Sequence, residues 1–361
     1  MTNAGEKSAY LRIYEAVRDD IQNGRLQPGE KLPSKRMMAE RTGKSVITIE
    51  HAYALLLDEG YIYAREKSGY FVSGDAMHSS RGGRSFPVPA GQSITDAAED
   101  FPFTAYARTI RKVLSDYDRR ILSKVPGSGS TELRQAIAGY LYRSRSLDVS
   151  AENIIIGSGA EHLYSLILQI LGPGCCIAME DPSYEVIRNI YQACGAQCLP
   201  LRMGENGILT SELSACRADA LHVTPYHSFP TGITADAAKR AEYARWAART
   251  GAYIIEDDYD SEFTSLKKQI DTIFSLAPQQ VIYVNSFSKT MSPALRIGYM
   301  VLPDELLQRY RQRLSFYSCT VPVFEQYVLA EFINSGELER YISRRRRSLR
   351  QQTQLANSGT A

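Results

Sequence analysis

Long apolar runs are missing from this sequence. No stretch approaches the ~20 consecutive apolar residues that a membrane-spanning helix needs. Residues 1–10 are polar and lack the apolar core of a secretory signal. We therefore expect a cytoplasmic protein that does not contact a membrane.

Cysteine motifs are missing as well. The 6 cysteines include no Cys-x-x-Cys pair, which is the spacing found in zinc sites and redox motifs. They lie in apolar surroundings, and free cysteine is among the residues most often buried. We expect reduced cysteines in the core, without a disulfide framework or a metal site.

Neither sign of charge is in clear excess. The 42 Lys and Arg residues against 40 Asp and Glu give a net charge of +2, so the overall field does not indicate nucleic-acid binding. A DNA-binding function would have to depend on a local motif. The length of 361 residues and the hydrophobic share of 44% are typical of a globular protein with two or three domains.

Residues 10–73 carry the pattern of three helices and a hairpin. Apolar residues recur at helical spacing over 11–21 and again over 49–56, and Ser34 and Ser45 are suitable N-caps for the second and third helices. Two β-rich runs, 61–63 and 70–72, follow the third helix. This order predicts a winged helix-turn-helix.

The composition then changes. Residues 75–99 are rich in Ser, Gly, Pro and Arg and offer few apolar side chains to bury, which is typical of a linker. We therefore predict a winged-helix domain over residues 1–74, a linker over 75–99 and a larger domain over 100–361.

The larger segment alternates strand-like and helical patterns. Continuous apolar runs occur at 154–156, 176–179, 220–223, 253–255 and 281–284, with helical segments between them. Such strands are typical of a mainly parallel sheet that is covered by helices on both faces. The fold class predicted for this segment is α/β.

Lys289 follows the last of these apolar runs, and its neighbours suggest a cofactor. A lysine that forms a Schiff base needs a phosphate site and a carboxylate that keeps a pyridine nitrogen protonated. Asp257 and Tyr259 follow the preceding run two positions apart, and thus on one side of a strand. Residues that can hold a phosphate dianion also flank the lysine, namely Ser286, Ser288 and Arg296. Together they predict a pyridoxal phosphate site.

Two further features fit this site, and each has a simpler interpretation. Gly157 and Gly159 lead into a helix whose free amides suit a phosphate, although such glycines often serve only the turn. They half-match a dinucleotide fingerprint, but its third glycine is missing. Tyr184 follows the 176–179 run and could stack on an aromatic cofactor, or it could be a core residue. The acidic segment around Asp257 could likewise be an exposed loop.

The motifs together resemble a known family. Residues 32–36, 57–61 and 68–72 resemble the winged helix of GntR regulators. Residues 223–232, 256–263 and 286–299 resemble a fold type I aminotransferase, and this likeness extends over roughly residues 101–347. The whole chain resembles the MocR subgroup of GntR regulators, in which the two domains are fused.

The resemblance implies pyridoxal 5'-phosphate as the cofactor and Lys289 as the catalytic lysine that binds it. It implies that Asp257 holds the pyridinium nitrogen, that Tyr259 contacts the phenolate oxygen and that Tyr184 stacks on the ring. The implied phosphate ligands are Ser158, Gly159, Ala160, Ser286, Ser288 and Arg296.

The winged helix is expected to bind double-stranded operator DNA with its third helix in the major groove. The expected groove-facing residues are Ser45, Ile47, Thr48 and His51. Phosphate contacts are expected from Arg36 and Lys44, and backbone contacts of the wing from Lys67 and Ser68. Val46 stands where the family usually has arginine. The alternative is a winged helix that serves as a protein-interaction module.

Three functions are compatible with these motifs. The first is a transcriptional regulator whose aminotransferase-like domain senses pyridoxal phosphate, an amine or an amino acid, and which forms a head-to-tail homodimer as the resemblance implies. The second is a working aminotransferase. We expect it less, because the small C-terminal domain that binds the substrate carboxylate in the family has no counterpart before residue 361. The third is a truncated product that binds no cofactor. The basic run at 344–347 is expected to be a solvated helix face.

Overall fold

The structure, a computed structural model, describes residues 9–65, 68–73, 101–263 and 271–358. The chain divides into two units, Met1–Gln92 and Ser93–Ala361. The predicted linker and Lys67 lie outside the described residues, so the proposed domain limits stay a prediction.

The first unit is the expected winged helix-turn-helix. It consists of α1 (Ala9–Gln22), α2 (Lys35–Thr42), α3 (Val46–Asp58) and an antiparallel hairpin of β1 (Ile62–Arg65) and β2 (Gly69–Val72). The apolar faces of the helices meet in one core, in which Ile21, Ile49 and Leu56 are fully buried.

Serine residues begin α2 and α3, as the sequence predicts. The Ser34 hydroxyl accepts a hydrogen bond from the Met37 amide at 3.3 Å, and the Ser45 hydroxyl accepts one from the Thr48 amide at 3.2 Å. Gly43 ends α2 with a φ of 63°, a left-handed conformation that favours glycine. The caps thus fix the sharp turn between the two helices.

The second unit is built on an eight-stranded sheet within the described residues. Its strands are β3 (Ile154–Gly157), β4 (Cys176–Asp181), β5 (Gln197–Gly204), β6 (Gly207–Ile208), β7 (Ala220–Val223), β8 (Tyr253–Asp257), β9 (Val281–Ser286) and β10 (Gly298–Val301). Their order is β3-β10-β9-β8-β7-β4-β5-β6. The four pairings from β5 through β4, β7 and β8 to β9 are parallel. β10 and β6 are antiparallel to their neighbours, so the sheet is mixed but mainly parallel, which confirms the predicted class.

Helices cover both faces of this sheet. They are α4 (Phe103–Tyr117), α5 (Thr131–Arg145), α6 (Ala160–Leu171), α7 (Glu185–Ala193), α8 (Thr210–Ala215), α9 (Ala237–Thr250), α10 (Phe287–Thr290), α11 (Asp304–Leu314), α12 (Val323–Asn334) and α13 (Glu337–Ser358). Ile154 and Ile156 join the core formed with α5, α9 and α12, whereas Ile155 joins the core formed with α6, α7 and α11. This alternation explains why the central strands are continuously apolar.

The cysteines of the second unit are free. Cys175 and Cys216 are buried, but Cys194 is exposed, so the prediction of core cysteines is wrong at that position. Cys194 ends α7 as its C-cap, and the surface end of an amphipathic helix leaves its side chain in solvent. In the described part of the chain, no helix has the length and apolar character of a membrane span.

The basic run on α13 is only partly solvated. Arg344 and Arg347 are exposed, as predicted. Arg346 is half-buried and donates a hydrogen bond to the Glu262 carbonyl, and the Arg345 guanidinium lies 5.0 Å from the Phe263 ring centroid. The helix therefore uses two of its arginines to pack against the segment that follows β8, and for these two the expected solvated face is wrong.

Candidate functional site

The carboxyl ends of the parallel strands form one edge of the sheet, and a cavity of about 380 Å³ opens there. Open α/β sheets commonly bind ligands at this edge. Four of the predicted ring-binding residues line the cavity: Tyr184, Asp257, Tyr259 and Lys289. Four of the predicted phosphate ligands line it as well: Ala160, Ser286, Ser288 and Arg296. Ser158 and Gly159 directly precede α6, at whose start Ala160 lies.

Asp257 ends β8 and is buried, with 5% of its surface exposed. Its Oδ2 accepts a hydrogen bond of 2.6 Å from the Tyr164 hydroxyl. Its buried Oδ1 has no hydrogen-bond partner among the described residues, and an unsatisfied buried acceptor is costly. A protonated pyridine nitrogen would supply the missing donor, so this carboxylate fits the ring of pyridoxal phosphate.

A buried histidine lies beside this carboxylate. His222 Nε2 also has no hydrogen-bond partner among the described residues, and it lies 3.9 Å from Asp257 Oδ2. Its Nδ1 lies 2.6 Å from the Tyr191 hydroxyl. Sequence reasoning missed Tyr164, Tyr191 and His222. The available signal was a histidine inside an otherwise apolar strand, which is unusual without a polar partner.

Arg296 lies close to the start of α6, where the sequence predicts the phosphate site. The first amides of a helix have no partner within the helix and attract anions. Gly159 has a φ of 91°, and a Cβ atom at this position would lie 2.9 Å from Arg296 Nη2. Glycine therefore suits the backbone conformation here, and any larger residue would displace the guanidinium from its position beside this turn. Arg296 itself has a left-handed φ of 48°, a strained conformation of the kind that clusters at functional sites.

Lys289 lies in α10, directly after β9, and half of its side chain is exposed. Its Nζ is 3.0 Å from Asp260 Oδ2 and 4.9 Å from the centroid of the Tyr259 ring. Asp260 Oδ2 also lies 3.4 Å from His227 Nδ1. Asp260 is a further residue near the site that sequence reasoning did not single out, although it belongs to the acidic segment that contains Asp257.

Tyr259 and Tyr184 both line the cavity. Burial, followed by the negative charges of Asp260, Asp257 and Glu180, raises the pKa of Tyr259 to about 12, so its hydroxyl is a donor at neutral pH. It donates to the His227 carbonyl at 2.9 Å. The Tyr184 side chain is 49% exposed and meets Phe229 edge to face at 5.7 Å. It is therefore not a core tyrosine, and it is accessible for stacking.

The acidic segment is not an exposed loop. Glu256, Asp258 and Glu262 are each at most 5% exposed. Asp258 forms an ion pair with the buried Arg145 of α5 and accepts a hydrogen bond of 2.5 Å from the Tyr283 hydroxyl. The simpler interpretation of this segment is wrong, because Arg145 and Tyr283 provide the partners that buried charges require.

The DNA-binding candidates lie on α2, on α3, in the turn between them and in the wing. Exposed among them are Arg36 at the start of α2, Lys44 in the turn, and Ile47 and His51 on α3. Ser45 is exposed too, and its hydroxyl oxygen caps α3. The same oxygen lies 2.8 Å from the Thr48 hydroxyl. Thr48 and Ser68 are half-buried, and Lys67 lies outside the described residues.

Comparisons with known proteins agree with both halves of the chain. Residues 9–72 match the family described as bacterial regulatory proteins of the gntR family, and residues 91–359 match aminotransferase class I and II. The uncharacterized HTH-type transcriptional regulator YdeL of Bacillus subtilis is 34% identical, over 94% of this chain and 76% of that protein. The probable rhizopine catabolism regulatory protein MocR of Rhizobium meliloti is 29% identical, over 94% of this chain and 74% of that protein.

Solved structures show the same fold for the large unit. The kynurenine aminotransferase of Pyrococcus horikoshii matches 69% of this chain with a TM-score of 0.63 and 23% identity. This chain covers 64% of that enzyme, somewhat less than two thirds of its length. At this identity the match shows the fold alone.

The two domains define a helix-turn-helix transcriptional regulator with an aminotransferase-like domain. The chain belongs to the MocR subgroup of the GntR family. GntR-type regulators bind DNA, and aminotransferases of class I and II depend on pyridoxal phosphate.

Proposed function

We propose that this regulator binds pyridoxal 5'-phosphate in the cavity of its large unit and senses the cofactor, an amine or an amino acid there. The observation that carries the proposal is that Asp257, whose buried Oδ1 has no hydrogen-bond partner among the described residues, lines the same cavity as Lys289 and Arg296. When bound, pyridoxal phosphate supplies a protonated aromatic ring that withdraws electrons from an attached amine. Asp257 would hold the ring nitrogen, and Lys289 would hold the cofactor covalently.

Titration of the full chain with pyridoxal phosphate tests this proposal. We expect a saturable visible absorbance band in the wild type and no such band in Lys289→Ala. Lys112→Ala is a matched control. Lys112 is an exposed lysine that pairs with Glu331, and neither residue lines the cavity. The absence of a saturable band in the wild type, or an unchanged band in Lys289→Ala, would overturn the proposal.

The cavity favours sensing over transamination. Among the described residues, the cationic side chains that line it are Lys289 and Arg296, and both have proposed cofactor roles. A transaminase also has to orient the carboxylate of its substrate, which needs a further donor. Robust multiple turnover of an amino donor with a keto acid would reverse this ranking in favour of an aminotransferase.

We further propose that the regulator acts in the cytoplasm as a head-to-tail homodimer and that its two winged helices bind operator DNA. Ligand binding in the large unit would change DNA affinity only if it favours one arrangement of the dimer over another. Operator affinity measured with and without pyridoxal phosphate and an amino acid tests this coupling. Equal affinities under all conditions would contradict it.

A further inference from the structure

Within the described part of the chain, each cationic side chain that lines the cavity is already paired with a carboxylate. Arg296 Nη2 lies 2.8 Å from Glu161 Oε2, and Lys289 Nζ lies 3.0 Å from Asp260 Oδ2. The inference drawn from the first pair rests on the proposed function, in which Arg296 holds the phosphate of the cofactor. An internal carboxylate thus contacts one nitrogen of the guanidinium that this phosphate needs.

Glu161 is well placed to imitate the phosphate. It lies in the first turn of α6, where the helix dipole stabilises a negative charge. Its carboxylate therefore has two of the stabilising partners that the phosphate would use, the start of the helix and Arg296. Gly159 makes this arrangement possible, since it lets the guanidinium approach the turn.

The ion pair is weak enough to be displaced. The side chains of Arg296 and Glu161 are 48% and 57% exposed, and exposed ion pairs contribute little. A phosphate dianion forms stronger, charge-assisted hydrogen bonds with arginine. After displacement, however, Glu161 still belongs to the turn that holds the phosphate, and its charge repels the dianion.

We propose that Glu161 competes with the phosphate group of the cofactor for Arg296 and thereby lowers the affinity of the site. The competition acts on the phosphate alone, because the ring contacts at Asp257 and Lys289 lie on other elements. For a sensor, the lower affinity keeps the site partly empty until the ligand concentration rises.

The test is a titration of the full chain and of Glu161→Gln with pyridoxal 5'-phosphate and with pyridoxal, which lacks the phosphate. We expect the variant to bind pyridoxal 5'-phosphate about tenfold more tightly, which corresponds to about 1.4 kcal/mol. Its affinity for pyridoxal should stay that of the wild type. Glu337→Gln is the matched control, because Glu337 forms a comparable ion pair of 2.8 Å with Arg340 outside the cavity.

Each outcome decides the inference. Unchanged affinity for pyridoxal 5'-phosphate, or an equal gain for both ligands, would reject the role of Glu161 while leaving the cofactor site in place. Binding by neither wild type nor variant would reject the cofactor site and this inference together. Binding by the variant alone would support the inference. If Glu161→Gln does not fold, the same two affinities are measured for Glu161→Ala, which also lacks the carboxylate.

Discussion

The Tyr164 hydroxyl donates a hydrogen bond of 2.6 Å to Oδ2 of Asp257. The bond joins α6, which begins at the proposed phosphate site, to the end of β8, which carries the carboxylate proposed to hold the ring nitrogen. Both partners are buried, so the bond is not weakened by solvent. It holds one carboxylate oxygen in place, while the other has no hydrogen-bond partner among the described residues.

We predict that Tyr164→Phe lowers the free energy of unfolding of the large unit by about 1–3 kcal/mol, because a buried charged acceptor loses its donor. Chemical denaturation of the wild type and the variant measures the difference. The variant should also bind pyridoxal phosphate more weakly, since Asp257 is no longer oriented.

Tyr317→Phe provides the control for this substitution. The Tyr317 hydroxyl donates to Gln169 at 3.2 Å in an exposed position, so its removal should change the stability by less than about 0.5 kcal/mol. Equal stabilities of Tyr164→Phe and the wild type would show that the bond to Asp257 does not hold the carboxylate.

This bond illustrates which parts of the site the sequence could predict. Asp257, Lys289 and Arg296 stand beside recognisable strands, so their types and order indicated the chemistry. Tyr164 and His222 lie inside helical and strand segments whose apolar pattern conceals their polar contacts. Their role depends on the sheet order, which brings β7 and β8 together, and no local pattern in the sequence contains that order.

Glu180 offers a test by pH. It lies at the end of β4, lines the cavity and accepts a hydrogen bond of 2.6 Å from the Ser228 hydroxyl. Burial raises the pKa of Glu180 to about 7 in spite of this bond. The folded chain therefore holds the Glu180 proton more tightly than the unfolded chain does.

In the unfolded chain the pKa of Glu180 is about 4.5. The contribution of Glu180 to the stability of the fold is therefore most favourable below pH 4.5 and is lost as the pH rises toward about 7. We predict that the stability of the wild type falls more than that of Glu180→Gln between pH 5 and pH 8, by about 2 kcal/mol. Urea denaturation at both pH values measures the difference. Glu205→Gln, at an exposed position, should follow the wild type, and identical pH profiles of all three proteins would contradict the prediction.

The sheet shows a similar division between what the sequence predicts and what it does not. Five central or buried strands were predicted from continuous apolar runs. β5 and β6 were missed because they lie at one edge of the sheet, where β5 is mostly exposed or half-buried and lacks a continuous apolar run. β10 has only four residues and begins with a glycine, so its insertion between β3 and β9 depends on tertiary pairing rather than on local preference.

Ser45 caps α3 and is also proposed to face DNA, and substitutions can separate these two roles. Ser45→Ala removes the cap of α3 and should destabilise the winged helix by about 1 kcal/mol. Ser45→Asp keeps a capping oxygen at the helix start but adds a negative charge on the proposed DNA face. We expect it to retain stability and lose operator affinity, as measured by thermal unfolding and fluorescence anisotropy.

Ser45→Asn is the neutral control, because asparagine also caps a helix. It should leave the stability unchanged and reduce affinity less than Ser45→Asp does. Undiminished operator binding by Ser45→Asp would indicate that this end of α3 does not approach DNA.

Arg36 and Lys44 test the electrostatic part of the same interface. Both side chains are exposed, Arg36 at the start of α2 and Lys44 in the turn between α2 and α3, and both are proposed to contact DNA phosphates. Because each phosphate contact releases counterions, Arg36→Ala and Lys44→Ala should each reduce the slope of log affinity against log salt concentration by about 0.9. The loss of affinity should be similar for operator and unrelated DNA, since phosphates carry no sequence information.

Arg25→Ala is the control for both variants, because the Arg25 guanidinium pairs with Asp20 at 3.0 Å just after α1. Unchanged affinity and salt dependence in both variants would favour a winged helix that binds protein instead of DNA.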